Sequence, residues 1–287
     1  MTGDRRSLSL LPRVGMESLL AAPLSLFLVL FVAYPTAYAV KLAATDTLTQ
    51  TFPSLANFQL LWDDQLFWRA VLGNLVLPVM SVAVEVVLGL ALALLLASRF
   101  PGRRYLRAVV VIPFALPEIV FLTAMRYAFA PRGYVNAALA AGGLQPMDWL
   151  APGHLTTWLT VVAVDAWHVT PVVFLLLLAA LTAIPEEITE AARLDGAGGL
   201  RRLAFITVPL LRPALLAALL LRGVDAIRVF ATPLVLTGVE GVPVLSTYAY
   251  HQWSDYGNDG AAAAAASVLA LLSVTMTIPL LRRRTAA

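Results

Sequence analysis

The sequence predicts an all-α, polytopic membrane protein with about six transmembrane helices, and three observations carry that prediction. Hydrophobic residues make up 60% of the chain and charged residues 13%, outside the usage of soluble domains. Apolar windows of spanning length, roughly 20 residues, recur along almost the whole chain and leave no polar stretch long enough for a separate soluble domain. These windows are continuous rather than alternating, as helices and not barrel strands require, because the bilayer core offers no water to backbone N–H and C=O groups. Residues 1–287 are therefore read as a single transmembrane domain.

The expected spans centre on roughly 20–41, 71–98, 106–129, 156–183, 208–232 and 261–281. The first follows Arg5, Arg6 and Arg13, as a signal peptide would, but its apolar stretch is too long and no small-x-small cleavage site follows Tyr38, so it is read as a retained helix. The second carries one acid, Glu85, and the third is interrupted by Pro113 and Pro117. The fourth holds Asp165, Trp167 and His168, and the fifth ends in "LLRGVDAIRVF". The sixth opens on the alanine run Ala261 to Ala266, which favours close helix packing over disorder. No internal repeat is evident.

Orientation follows from the cations, because short cytoplasmic loops collect Lys and Arg. One side would hold Arg5, Arg6 and Arg13, then Arg99, Arg103, Arg104 and Arg107, then Arg193, Arg201 and Arg202, and finally Arg282, Arg283 and Arg284. The other would hold only Lys41, Arg69, Arg132 and Arg228. Both termini and the loop 184–209 are thus expected in the cytoplasm, with 42–69 and 131–155 outside. The formal charge of +3 does not point to nucleic acid: the arginines sit in short clusters beside spans, where snorkelling and anionic membrane lipid account for them.

Catalytic and cofactor signatures are missing from the sequence. There is no cysteine, so disulfides and thiolate metal sites are excluded. Lys41 is the only lysine and lies in no GxxxxGK[ST] loop, so the chain carries no nucleotide-binding P-loop. His154, His168 and His251 are far apart and form no HExxH pair for a metal. The glycines Gly196, Gly198 and Gly199 lack GxGxxG spacing and read as a helix break.

The most polar interruption is "EAARLDG", Glu190 to Gly196. Pro185, Glu186 and Glu187 start a helix well, with proline in the first turn and carboxylates where the helix dipole favours anions. Ile188, Ala191, Ala192 and Asp195 fall at i, i+3, i+4 and i+7 and would share one small, mostly neutral face, while Glu187, Glu190 and Arg193 point elsewhere. Gly196 is placed to end the helix in a left-handed cap. Such a helix suits a partner's groove, and it equally suits an amphipathic connector lying at the membrane interface.

The same residues resemble the EAA loop of membrane subunits of type I, binding-protein-dependent ABC importers. That pattern is EAA, three residues, Gly, nine residues, then I-x-L-P; here Glu190-Ala191-Ala192, Gly196 and Ile206-Thr207-Val208-Pro209 match it, with Val208 in place of leucine. The surrounding "IPEEITEAARLDGAGGLRRLAFITVPLLRPAL", "DAWHVTPVVFLLLLAAL" and "LLRGVDAIRVF" are similar to the carbohydrate-uptake branch, most strongly over 160–240. After Leu236-Thr237 the family often has Gly-Gly-Gly-Pro, whereas this chain has Gly238-Val239-Glu240-Gly241-Val242-Pro243.

The resemblance implies the type I ABC importer permease fold in a bacterial or archaeal cytoplasmic membrane. It implies a non-catalytic permease that pairs with a second permease subunit, as a heterodimer, two ATPase subunits and an extracytoplasmic solute-binding protein. ATP and Mg would be bound by the ATPases and no cofactor by this chain. The cargo would be a sugar, an oligosaccharide or disaccharide, or a related polyol such as a glycerol phosphate, moved by alternating access. Glu187, Glu190, Ala191, Ala192, Asp195 and Gly196 would couple the permease to the ATPase.

Ionisable residues inside spans are costly in lipid and should face the bundle or a cavity. Glu118, Asp165, His168 and Asp225 are accordingly candidates for the substrate pathway, with Tyr127 and Trp167 as rings able to stack on a sugar. Two bland readings stand beside this one: a local Arg222–Asp225 structural pair, and interfacial anchoring or core packing of the aromatic rings. An ion- or proton-coupled secondary transporter would instead use buried carboxylates such as Glu85 and Glu118 as relays, but it leaves the EAA pattern unexplained.

Overall fold

The computed structural model describes residues 16–98, 100–195 and 198–284, and every regular element among them is helical. Five helices have the length and apolarity to cross a membrane: Leu20–Ala43, Gln65–Ala97, Leu155–Thr182, Gly199–Ala226 and Asp259–Ile278. The remaining span, third in chain order, is a pair, Arg103–Ala115 and Glu118–Ala128, bent by 96°. Shorter helices, Ala56–Asp63, Tyr134–Ala141, Glu186–Leu194, Ala231–Gly241 and Leu245–Ser254, lie between the spans.

The prolines explain most departures from straight helices. Leu116 precedes Pro117, whose ring disfavours the helical region for the residue before it, and Leu116 is extended at φ −81°, ψ 143°. The continuous span expected over 106–129 is therefore two helices at a sharp angle. Val29–Ala33 and Leu203–Thr207 are π-helical, and each stops two residues before a proline, Pro35 and Pro209. A proline has no N–H to donate and crowds the carbonyl four residues back, so the ladder widens there. The Ile206-Thr207-Val208-Pro209 stretch thus sits on a local irregularity at the base of the fifth span.

The fifth span also differs from the expected 208–232. It runs Gly199–Ala226, leaves helical geometry by Phe230 at φ −136°, and restarts as Ala231–Gly241. Side chains from other elements take the freed carbonyls, which lets a chain break persist where backbone groups need partners. Asn74 Nδ2 donates to Ile227 O at 2.5 Å and Ser246 Oγ donates to Val229 O at 2.5 Å. Asn74 Oδ1 in turn accepts from Leu245 N at 2.6 Å, so one amide in the second span ties the break to the helix Leu245–Ser254. Its neighbour Gly73 makes the approach possible: a Cβ there would lie 1.9 Å from Pro243 O.

The second and fourth spans form the centre of the bundle, where Gly89 brings the second span against Val173 so closely that a Cβ would come within 2.7 Å of its Cγ1. Phe174, Leu177, Leu178, Ala93, Leu96 and Ala218 pack around that contact. Toward the opposite end, Ala261, Ala263, Ala264 and Ala265 are buried against Tyr248 and Phe67, so the alanine run does permit close packing. There Asp64 caps the second span by accepting from Leu66 N at 2.8 Å, and its other oxygen accepts from Tyr248 Oη at 2.6 Å. Burial first, and then that carboxylate, hold the Tyr248 phenol well above its ordinary range. The first span, by contrast, leaves Leu24, Leu26, Phe27 and Phe31 exposed.

Candidate functional site: a charged seam in the bundle and a helix at its end

The seam is built on one stripe of the second span. Asn74, Ser81 and Glu85 fall at i, i+7 and i+11, which superimposes them on one helical face, and all three are buried. Glu85 is fully buried and accepts from Arg222 of the fifth span in two-pronged fashion, Nε to Oε2 at 2.7 Å and Nη2 to Oε1 at 3.0 Å. The remaining Arg222 nitrogen, Nη1, bonds Asp225 one turn further on. The local Arg222–Asp225 pair read from the sequence is thus one arm of a larger ion triad that bridges two spans.

Asp165 of the fourth span lies beside this triad and is satisfied differently. Ser81 Oγ donates to its Oδ2 at 2.5 Å and Thr232 Oγ1 donates to its Oδ1 at 3.0 Å. Both donors are neutral, so the carboxylate is held by hydrogen bonds rather than by a direct ion pair. A cavity of about 250 Å³ opens here, lined by Glu118, Asp165, Arg222, Asp225, Arg228 and Phe230 among others. Glu118 reaches it because the break at Pro117 makes Glu118 the first residue of a new helix.

Three of the pathway candidates, Glu118, Asp165 and Asp225, therefore share one cavity; the other three are not in its wall. His168 stacks on Phe121, with ring centroids 4.7 Å apart, and its Nδ1 is buried without a partner among the described residues. Tyr127 and Trp167 are 71% and 54% exposed, which places them on the bundle surface. Ser81, Asn74, Thr232 and the Glu85–Arg222 link were not singled out from the sequence, although the polar stripe on the second span was a signal that could have found the first two.

At one end of the bundle the termini of four spans meet the helix Glu186–Leu194. They enclose a cavity of about 730 Å³ whose wall includes Arg103, Arg107, Arg202, Glu186 and Glu190. Arg107 Nη2 donates to Leu96 O at 2.6 Å, placing a cation at the carbonyl end of the second span, as the helix dipole favours. Glu187, Glu190, Ala191 and Asp195 are exposed. Ala192 is not: at 5% exposure it is turned into the chain, apart from Ala191 and Asp195, with which it was expected to share a face. A methyl side chain is what permits that close approach. Gly196 lies outside the described residues. Leu194, at the end of the short helix, is 88% exposed, and Leu200 and Phe205, at the start of the fifth span, are 84% and 75% exposed.

Residues 85–282 match the family described as the inner membrane component of binding-protein-dependent transport systems. The chain belongs to this family. The trehalose/maltose transport system permease protein MalF of Thermococcus litoralis is 38% identical to this family member over 229 residues, covering 77% of this chain and 76% of that one. The sulfoquinovosyl glycerol transport system permease protein SmoG of Agrobacterium fabrum is 31% identical over 278 residues, 92% of this chain and 88% of its own. Among solved structures, a bacterial alginate ABC transporter in complex with an alginate pentasaccharide-bound periplasmic protein contains a chain that superimposes with a TM-score of 0.81, covering 93% of both chains. At 20% identity that likeness shows the fold alone, which is that of a type I ABC importer permease.

Proposed function

We propose that this family member is the permease of an ATP-driven importer that carries a sugar, as a disaccharide or oligosaccharide, or a related polyol, inward by alternating access. The observation that carries the reading is the helix Glu186–Leu194, which leaves Glu187, Glu190 and Leu194 outward at the bundle end where four spans converge. Neither Glu187 nor Glu190 has an ion pair among the described residues. A short acidic helix of this kind is explained by a partner with a complementary groove. In this reading the partners are two ATPase subunits holding ATP and Mg, a second permease subunit, and an extracytoplasmic solute-binding protein. The relatives named for trehalose/maltose and sulfoquinovosyl glycerol transport support a sugar-like cargo.

A proton-coupled carrier using Glu85 and Glu118 as relays leaves the EAA spacing from Glu190 to Pro209 unexplained. The arginine-rich bundle end is assigned to the cytoplasm. Single cysteines at Leu48 and Leu200, both strongly exposed, are expected to react with an impermeant reagent from opposite sides of sealed cells, Leu48 from outside. Labelling of both from outside would overturn the orientation.

The functional test is sugar-stimulated ATP hydrolysis by the reconstituted complex, with recovery of the ATPase subunit on the tagged permease. Glu190→Ala is expected to lose stimulation and to weaken recovery. Gly196→Val is expected to do the same if the residue ends the helix with positive φ, where a β-branched side chain is strained. Wild-type stimulation and recovery in both variants would return the segment to an interfacial connector.

A further inference from the structure

The cavity between the third, fourth and fifth spans holds an excess of negative charge, and we propose that it selects neutral polyhydroxy solutes and excludes anionic ones. The proposal rests on the sugar-import reading and narrows it: of the cargo classes left open there, it removes phosphorylated, carboxylated and sulfonated solutes.

The charged residues that line this space, together with Glu85 behind Arg222, do not balance. Asp165 is 7% exposed, and the hydroxyls of Ser81 and Thr232 that satisfy its oxygens leave its negative charge in place. Arg222 is the single cation of a triad with two carboxylates, Glu85 and Asp225, so the triad retains one negative charge. Glu118 and Arg228, the other charged residues in the wall, offset each other. The wall itself thus holds three carboxylates against two arginines, and with Glu85 behind Arg222 two negative charges remain uncompensated around about 250 Å³ of space, of which Asp165 is the one buried from solvent and least screened. An anionic solute entering would lose its hydration and meet repulsion from Asp165 and the triad. A neutral sugar would instead offer hydroxyl donors to the free lone pairs of Asp165, Asp225 and Glu118, and Phe230 in the same wall supplies an apolar face.

The chain has no cysteine, so Ala231→Cys, with Val229→Cys as a second position, places one thiol in the cavity wall. In the assembled transporter, with thiols of the other subunits blocked beforehand, the reaction rates of a trimethylammonium-bearing and a sulfonate-bearing methanethiosulfonate are compared with those at the exposed reference Leu48→Cys. Relative to that reference the cationic reagent is expected to react faster than the anionic one by about tenfold or more. The gap should shrink in high salt and in Glu118→Gln. Equal rates, a faster anionic reagent, or no reaction at either wall position would overturn the proposal.

A second arm tests cargo directly, through protection of the wall thiol from an uncharged maleimide. Maltose is expected to slow the reaction and its aldonic acid, maltobionate, is not. Equal protection by both would overturn the proposal while leaving the sugar reading intact. If neither protects while the rate gap persists, the cavity is not the path of a sugar and the proposal falls together with the reading it rests on.

Discussion

Glu85 and Glu190 are the same residue type in one chain and sit in opposite circumstances. Glu85 is fully buried and finds its counter-ion inside the protein, on Arg222 at 2.7 Å, whereas Glu190 is exposed at the end of the bundle on a helix whose apolar neighbour Leu194 is also bare. In the middle of a membrane bundle an ion must be matched by the chain itself, because neither lipid nor water will do it. At the bundle end that constraint is absent, and an exposed charge needs no partner within the chain. Buried charge here links spans, while exposed charge on the short helix is free to meet a partner, as the proposed coupling requires.

The sharpest way to break this contrast is to remove the buried cation. Arg222→Met leaves Glu85 and Asp225 without their partner and is expected to cost about 3–5 kcal/mol of stability, seen as a large fall in the thermal midpoint of the purified protein. The double replacement Arg222→Met with Glu85→Leu should recover most of that loss, since apolar residues of similar volume need no partner. No recovery would mean that the seam is held by something other than the pair.

Glu190→Ala should behave in the opposite way. Its effect on the thermal midpoint of the isolated permease is expected to be within about 0.5 kcal/mol, while docking to the ATPase weakens by about 2–5 kcal/mol if the carboxylate sits in a desolvated pocket of the partner. A large loss of intrinsic stability would show that Glu190 serves the bundle, and the contrast with Glu85 would fall.

The smallest effect is expected at Asp46, a third carboxylate, in the loop after the first span. The Thr49 hydroxyl first, and then the Leu48 N–H, hold its carboxyl below the ordinary value of 3.8. A group whose folded value is lowered stabilises the fold above its unfolded value, and that contribution is lost as pH falls through the folded one. The thermal midpoints of wild type and Asp46→Asn should therefore differ slightly near neutrality and converge below the ordinary value of 3.8. A gap that widens in acid would contradict the assigned hydrogen bonds.

Much of the fold was legible before any coordinates, for a physical reason that applies to membranes in particular. A spanning helix must be apolar over its whole length, so five spans could be placed by composition alone, whereas the remaining one, expected over 106–129, is broken at Pro117. The short helix at the bundle end was legible through capping: Pro185 and the acids that follow define its start, and it runs Glu186–Leu194. Its facing was not legible, because i, i+3, i+4 spacing says which residues share a side but not which side meets the protein. Ala192 turned inward for that reason.

What the sequence determined by itself was which segments must be helices and which residues would be expensive in lipid; each follows from local chemistry read against a known solvent. What only the tertiary structure decided was the pairing. Arg222 lies three residues from Asp225 yet bonds Glu85, 137 residues away, as well. Asn74 crosses the bundle to hold a broken span, and Glu118 reaches the cavity only because the chain turns through 96° at Pro117. Contacts of this kind depend on how helices rotate and cross, which periodicity along a uniformly apolar helix leaves almost unspecified, since every face of such a helix can meet lipid at similar cost.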